Sequence, residues 1–406
     1  MIRSGLLALL PVLATAADAS DLEDPTRWRK YSFGSLWVVT DASESTTREL
    51  GRQLATFRAV LEDTSTYLRF DKVATTHIVA FRDANDLPTP TTRAARDRDW
   101  RGFHIGSNYP GFETFILTTT SAAQPVESTR RFKSFQPPSV AVIHEYVHHV
   151  LAASFPSLPL WLNEGLATFY STYWAERGIA EIGRPDADVL AAVRAIEPVP
   201  MADFFGLREL GSAGIRSEAL YAQSWAIVHY VLRGNPQRGE QFGRFLYLLR
   251  QGRAQAEAWM EAFGVPPDTV RDEAYRYVRR GSFAVRRYDL SVLRWAPLGA
   301  PQPLVPGELL GMLAKVRLRL EDLDGAEARA VVALAADPAQ SRALQALAEI
   351  RSRRGAADEA VELGVRALRA SRGDRPQELE ASVFLDSLGQ GKLARQVLDE
   401  PVPPQP

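Results

Sequence analysis

The sequence predicts a mixed α+β region followed by an all-α region of paired helices, and three observations lead there. Short apolar strand patterns separated by turn residues occupy the chain as far as residue 136. Helical periodicity dominates from 137 to 287, and alanines and leucines recur every 34 residues beyond 306. A length of 406 residues exceeds what one hydrophobic core usually organises, so two domains are expected.

The opening "MIRSGLLALLPVLATAADAS" has one early arginine, an apolar run from Gly5 to Leu13, and small residues after it. This is the pattern of a signal peptide, residues 1–19. Ala14-Thr15-Ala16 and Ala17-Asp18-Ala19 both fit the A-x-A cleavage pattern, so processing follows Ala16 or Ala19. The apolar run falls short of the roughly 20 residues a spanning helix requires, and no later stretch qualifies. With no cysteine in the chain, a lipid-modified amino terminus, disulfides and thiolate metal sites are all excluded. An exported protein, periplasmic or secreted, is the expectation. A formal net charge of -1, with arginines interleaved among acids, excludes a nucleic-acid footprint.

Within residues 20–287, "SLWVVTDA" (35–42) reads as a strand. "STTRELGRQLATFRAVLEDTSTYL" (45–68) carries apolar residues at helical spacing behind a capping Ser/Thr start. "THIVAFRD" (76–83) is a second strand. "RGFHIGS" and "ETFILTT" (113–119) give two more strands, separated by the turn-forming "NYPGF". The sheet-rich part therefore spans 20–136 and the helical part 137–287. Residues 288–305 are rich in proline and without periodicity, which suggests a linker.

From 306 to 399 the chain repeats. Ala314, Ala326 and Ala333 recur as Ala348, Ala360 and Ala367, and Leu310 and Leu313 as Leu344 and Leu347. Gly355 recurs as Gly389. A period of 34 with small residues at close-approach positions resembles tetratricopeptide helix pairs, as two good repeats and a partial third. Such a module implies a groove for a protein partner, or a helical stack packed against the rest of the chain.

"VIHEYVHHVLAA" (142–153) holds three of the six histidines. His144, Glu145 and His148 form H-E-x-x-H in a helical run, where residues four apart share a face. Both imidazoles can hold one metal while Glu145 takes a proton from the water that metal activates. Nitrogen and oxygen ligands without thiolate favour Zn2+, although Mn, Co or Ni can substitute. His149 points about 100° away from His148 and reads as structural. A catalytic zinc takes three protein ligands and leaves one position open. The metzincin spacing is absent, because Leu151 and Ser154 stand where Gly and His would be required. In "LPLWLNEGLATFY", Glu164 follows His148 by sixteen residues on a second helix, and the turn through "SFPSLP" can bring it back against the histidines.

H-E-x-x-H followed by N-E-G on the next helix resembles a gluzincin, a peptidase of the thermolysin and aminopeptidase N type. "WLNEGLA" (161–167) is similar to the aminopeptidase segment, and the shorter spacing points to the peptidase MA-like branch. The resemblance implies a zincin-like α+β catalytic domain with His144, His148 and Glu164 as zinc ligands and Asn163 supporting them. It makes Glu145 the catalytic base and a protein or peptide the substrate.

In those families a downstream tyrosine stabilises the developing oxyanion. "YAQSWAIVHYVL" (221–232) resembles that segment, with Tyr221 in the donor place and Ser224 where the family has glycine; His229 is the alternative, as in thermolysin-type enzymes. The Gly-x-Met-Glu-Asn amine anchor of aminopeptidases is missing. Glu113 lies on the corresponding stretch, either as an anchor or as a solvated glutamate, so endopeptidase and aminopeptidase activities both remain open. The strand at 114–119 is the expected edge strand for pairing with an extended substrate. His77 and His104 read as structural. Two other readings fit the same residues: a non-catalytic zinc-fold scaffold whose repeats recruit a partner, and a zinc hydrolase acting on a non-peptide bond.

Overall fold

The computed structural model describes residues 25–70, 75–83, 86–88, 102–105, 111–121, 138–185, 187–208, 215–305 and 307–400. The signal-peptide segment expected at 1–19 lies outside them. No helix among the described residues is long and apolar enough to cross a membrane. The fold is mixed α+β and mostly helical, and the chain divides into two units. One spans Arg29–Pro303; the other takes in the described residues from Leu304 onward, together with those before Arg29.

The first unit carries a six-stranded sheet: β1 (Arg29–Phe33), β2 (Leu36–Thr40), β3 (Thr76–Phe81), β4 (Gly102–Ile105), β5 (Thr114–Thr119) and a short β9 (Gln302–Pro303), in the order β4-β5-β3-β2-β1-β9. β3 pairs in parallel with β2 and β5, and both "THIVAF" and "TFILTT" are buried along their whole length. Covered faces on both sides explain why these central strands are nearly unbroken apolar runs. Among the described strands β4 is the outermost, and it runs antiparallel to β5. The sequence expectation that 114–119 forms the edge is therefore corrected: β5 lies between β3 and β4. Strand order is set by the long-range placement of β4, which the local pattern of "TFILTT" does not carry.

Helix α1 (Glu44–Thr64) starts where Ser43 accepts a hydrogen bond from the Thr46 N–H, a side-chain cap for an otherwise orphaned donor. It buries Leu50, Leu54, Phe57, Val60 and Leu61 in the core that includes the sheet residues Val38, Ile78 and Ile116. Among the described residues eight more α-helices of this unit follow: α2 (Pro138–Ser154), α3 (Leu160–Ser171), α4 (Ala187–Ala195), α5 (Met201–Gly206), α6 (Ser217–His229), α7 (Pro236–Arg250), α8 (Gln255–Phe263) and α9 (Pro267–Arg280). A small antiparallel sheet is formed by β6 (Trp174–Glu176), β7 (Ile179–Ile182) and β8 (Arg286–Asp289). Arg177 and Gly178, both with positive φ, make the two-residue β6–β7 turn, the backbone twist that tight hairpins favour.

The stretch 288–305, read as a linker, differs from that expectation. Tyr288 and Asp289 belong to β8, and Gln302–Pro303 pairs with β1, so most of the stretch completes the first unit. Its prolines hid this. Pro303 sits on a sheet edge, where a missing N–H is tolerated and no strand pattern is needed.

The second unit contains α10 (Glu308–Arg319), α11 (Leu323–Ala336), α12 (Ser341–Arg353), α13 (Ala357–Ala370), α14 (Arg375–Ser387) and α15 (Gly391–Asp399). Helix starts recur at Leu323, Ala357 and Gly391, and buried alanines such as Ala326, Ala330, Ala343 and Ala346 let the helices approach closely. Turns at the same repeat position use a left-handed residue, Glu321, Gly355 or Gly389. At the two glycines that conformation carries no Cβ penalty.

Candidate metal centre

Two helices and one turn build the site. α2 presents His144 and His148 one helical turn apart, and their rings meet edge to face with centroids 4.7 Å apart. Phe155 to Pro159 then reverse the chain. Pro159 precedes the first turn of α3, where its carbonyl accepts from Leu162 and Asn163, and α3 packs back on α2. Glu164 is thereby brought against both imidazoles. Its Oε2 lies 3.4 Å from His144 Nε2 and 3.5 Å from His148 Nε2, and the two Nε2 atoms are 3.1 Å apart.

The donor set fits a divalent metal. One ligand atom from each of His144, His148 and Glu164 falls within 4.8 Å of the others. Glu164 Oε2 is buried with no partner at close hydrogen-bonding geometry, only the two imidazoles at 3.4 and 3.5 Å, a costly state for a carboxylate oxygen unless positive charge meets it. His148 Nδ1 lies 3.1 Å from Asn163 Oδ1. An amide oxygen only accepts, so Nδ1 carries a proton and Nε2 is the ring nitrogen that faces the cluster, free to ligate once it has given up its own proton.

The electrostatics of the cluster point the same way. Burial alone pulls His148 down, but the Glu164 charge and hydrogen bond, the Glu145 charge and Asn163 outweigh it and raise the imidazole to about 9. For Glu164 burial pushes upward, yet the His148 charge and the hydrogen bonds of both histidines hold the carboxyl well below the usual range. Glu145 is pushed up, chiefly by burial, against the charges of His144 and His148. Its Oε2 accepts the backbone N–H of His104 at 2.8 Å, which ties the glutamate to strand β4.

Tyr221 stands on α6, and its ring centroid lies 6.3 Å from that of His144. His229, the alternative donor, faces elsewhere. It is fully buried, with Nε2 donating to the Gly183 carbonyl at 2.9 Å and Nδ1 accepting from Tyr277 at 3.1 Å. Both ring nitrogens are thus occupied by groups outside the cluster. Glu113 is 1% exposed and lies 3.1 Å from His77 Nε2, so it is a buried partner of His77, not a solvated glutamate. His149, also buried, shares a hydrogen bond with Thr76 Oγ1 at 2.9 Å.

Sequence reasoning missed the His104 contact, because a backbone donor leaves no residue signature. The sequence marks "RGFHIGS" only as a strand, with His104 read as structural. The chain matches no protein-family model, and no curated protein is detectably similar to it.

Proposed function

We propose that the protein is an exported zinc-dependent metallopeptidase of gluzincin type, with a zincin-like catalytic unit and tetratricopeptide-like repeats that engage a protein partner or the substrate. The observation that carries the reading is the convergence of His144 Nε2, His148 Nε2 and the buried Glu164 Oε2, with Glu145 beside them. His144, His148 and Glu164 would hold the zinc. Zinc bound there supplies Lewis-acid activation of water and of a peptide carbonyl.

The remaining roles belong to the chain. Glu145, with Oε2 engaged by the His104 N–H, offers Oε1 to take a proton from water and return it to the leaving amine. Burial raises its basicity toward that task. Tyr221, beside His144, donates its hydroxyl to the oxyanion that develops on the carbonyl. Asn163 keeps His148 in the tautomer that ligates through Nε2. An intact base beside the ligands favours catalysis over a scaffold role.

The test pairs metal content with activity. Purified protein should bind one zinc per chain and digest casein or a peptide library, and Glu145→Gln should keep the zinc and lose the cleavage. Zinc without any Glu145-dependent hydrolysis would sink the reading.

A further inference from the structure

His149 is the histidine of the 142–153 stretch that the metal does not need. We propose that it is a positioning residue for Glu145, holding strand β4 against helix α2 so that the His104 N–H meets the Glu145 carboxylate. The inference rests on the peptidase reading of the site and extends it to a residue outside the ligand set.

Three contacts make the chain of support. His149 Nε2 is 2.9 Å from Thr76 Oγ1, which fastens α2 to the first residue of β3. The His149 ring lies 5.3 Å from the His104 ring, centroid to centroid, at 47°. The His104 N–H donates to Glu145 Oε2 at 2.8 Å. Thr76, His149, His104 and Glu145 therefore link the interior of the sheet to the proposed base through its outermost strand.

The outermost strand is where such support matters. Among the described residues β4 pairs with one strand, β5, while β3 lies between two partners. Glu145 depends on that strand for the hydrogen bond that fixes Oε2 and so aims Oε1. A displacement of about 1 Å at a catalytic group is enough to cost a large factor in rate. An apolar side chain at 149 would fill the same space but would leave the Thr76 hydroxyl without this partner. Because His149 follows the ligand His148 directly, one helix carries both the metal ligand and the strut that sets the strand height.

The experiment uses full-length zinc-loaded protein labelled with 15N-histidine, which gives six backbone amide signals at most. His149→Ala and Thr76→Val should each keep one zinc per chain. In both, the His104 amide signal should move toward its position in Glu145→Ala and exchange with solvent about tenfold faster. Peptide hydrolysis should lose about tenfold in kcat with KM changed less than twofold. His149→Gln, whose amide still reaches Thr76, should recover most of the signal position and the rate. An unmoved His104 amide in folded, zinc-bound His149→Ala and Thr76→Val overturns the proposal, and Thr76→Val alone decides it if His149→Ala does not fold. If the wild type hydrolyses nothing, the peptidase reading fails, while the His104 signal still decides whether His149 positions Glu145.

Discussion

Gly165 and Ser224 meet where α3 packs on α6: a Cβ at Gly165 would stand 2.9 Å from the Ser224 carbonyl oxygen and 2.9 Å from Val228 Cγ2. Each residue is near a proposed functional group, Glu164 on one helix and Tyr221 on the other. A backbone oxygen cannot swing aside as a side chain can, so an added methyl must part the helices. Gly165→Ala is expected to cost about 1–3 kcal/mol of stability, as overpacking does in tight cores. It should also weaken zinc binding, because Glu164 moves with α3. Denaturant midpoints and zinc titration check this, and an unchanged midpoint together with an unchanged affinity would show that the gap absorbs a methyl.

Zinc binding should release a proton near neutral pH. Without metal, His148 is raised to about 9 by Glu164, so at pH 7 its Nε2 is protonated and must lose that proton to ligate. Glu164, held low, is already charged and releases none. Calorimetric titration in buffers of different ionisation enthalpy should therefore find about one proton released at pH 7, and apparent affinity should fall as pH falls. Asn163→Ala should reduce affinity about 10–100-fold by freeing the His148 tautomer. Proton-free binding at pH 7 would contradict this account of the metal-free triad.

His229 gives a stability prediction independent of the metal. Burial lowers its pKa to about 4 from the ordinary 6.5. As pH falls below 6.5, the unfolded chain takes up the proton first and is favoured. The stabilisation is complete above pH 6.5 and is lost between 6.5 and about 4, where it amounts to something on the order of 3 kcal/mol. Urea midpoints of the wild type should fall more steeply over that range than those of His229→Gln. Parallel slopes would mean that the buried imidazole is protonated in the native state.

What the sequence made readable follows from how local each signal is. His144 and His148 converge because one helix period places them together, and α1, β2 and β3 fall close to the stretches their apolar patterns marked. Glu164 needed a further step, a helix reversal whose turn residues are visible in "SFPSLP". β1 and β8 do not read as strands: "RRYD" is polar and mostly exposed, and "RKYSF" buries only Tyr31 and Phe33, too short an alternation to stand out; their pairing comes from the neighbours β2 and β7. The edge position of β4 and the His104 N–H on Glu145 were hidden for a different reason. Strand order and backbone donors are properties of the assembled sheet, and no residue type announces them.

The second unit rests partly on charge buried among its helices. Lys315 of α10 and Glu380 of α14 form an ion pair with both side chains 2% exposed, and Arg319 adds a contact to Glu380 Oε1 at 3.2 Å. Glu349 of α12 is close enough that burial raises its pKa while Lys315 and Arg319 pull it down. Taking charges out of water is costly, and the pair offsets that cost only while both partners remain. Lys315→Met should therefore destabilise this unit by about 3–5 kcal/mol, since it leaves Glu380 buried with less compensation. Adding Glu380→Leu removes the stranded charge and should recover most of that loss, with coupling well beyond the few tenths of a kcal/mol at which independent sites add. Equilibrium unfolding of the four proteins in the cycle measures it. If the two losses simply add, the helices are held together by their alanine-lined contacts and the buried pair contributes no linkage between α10 and α14.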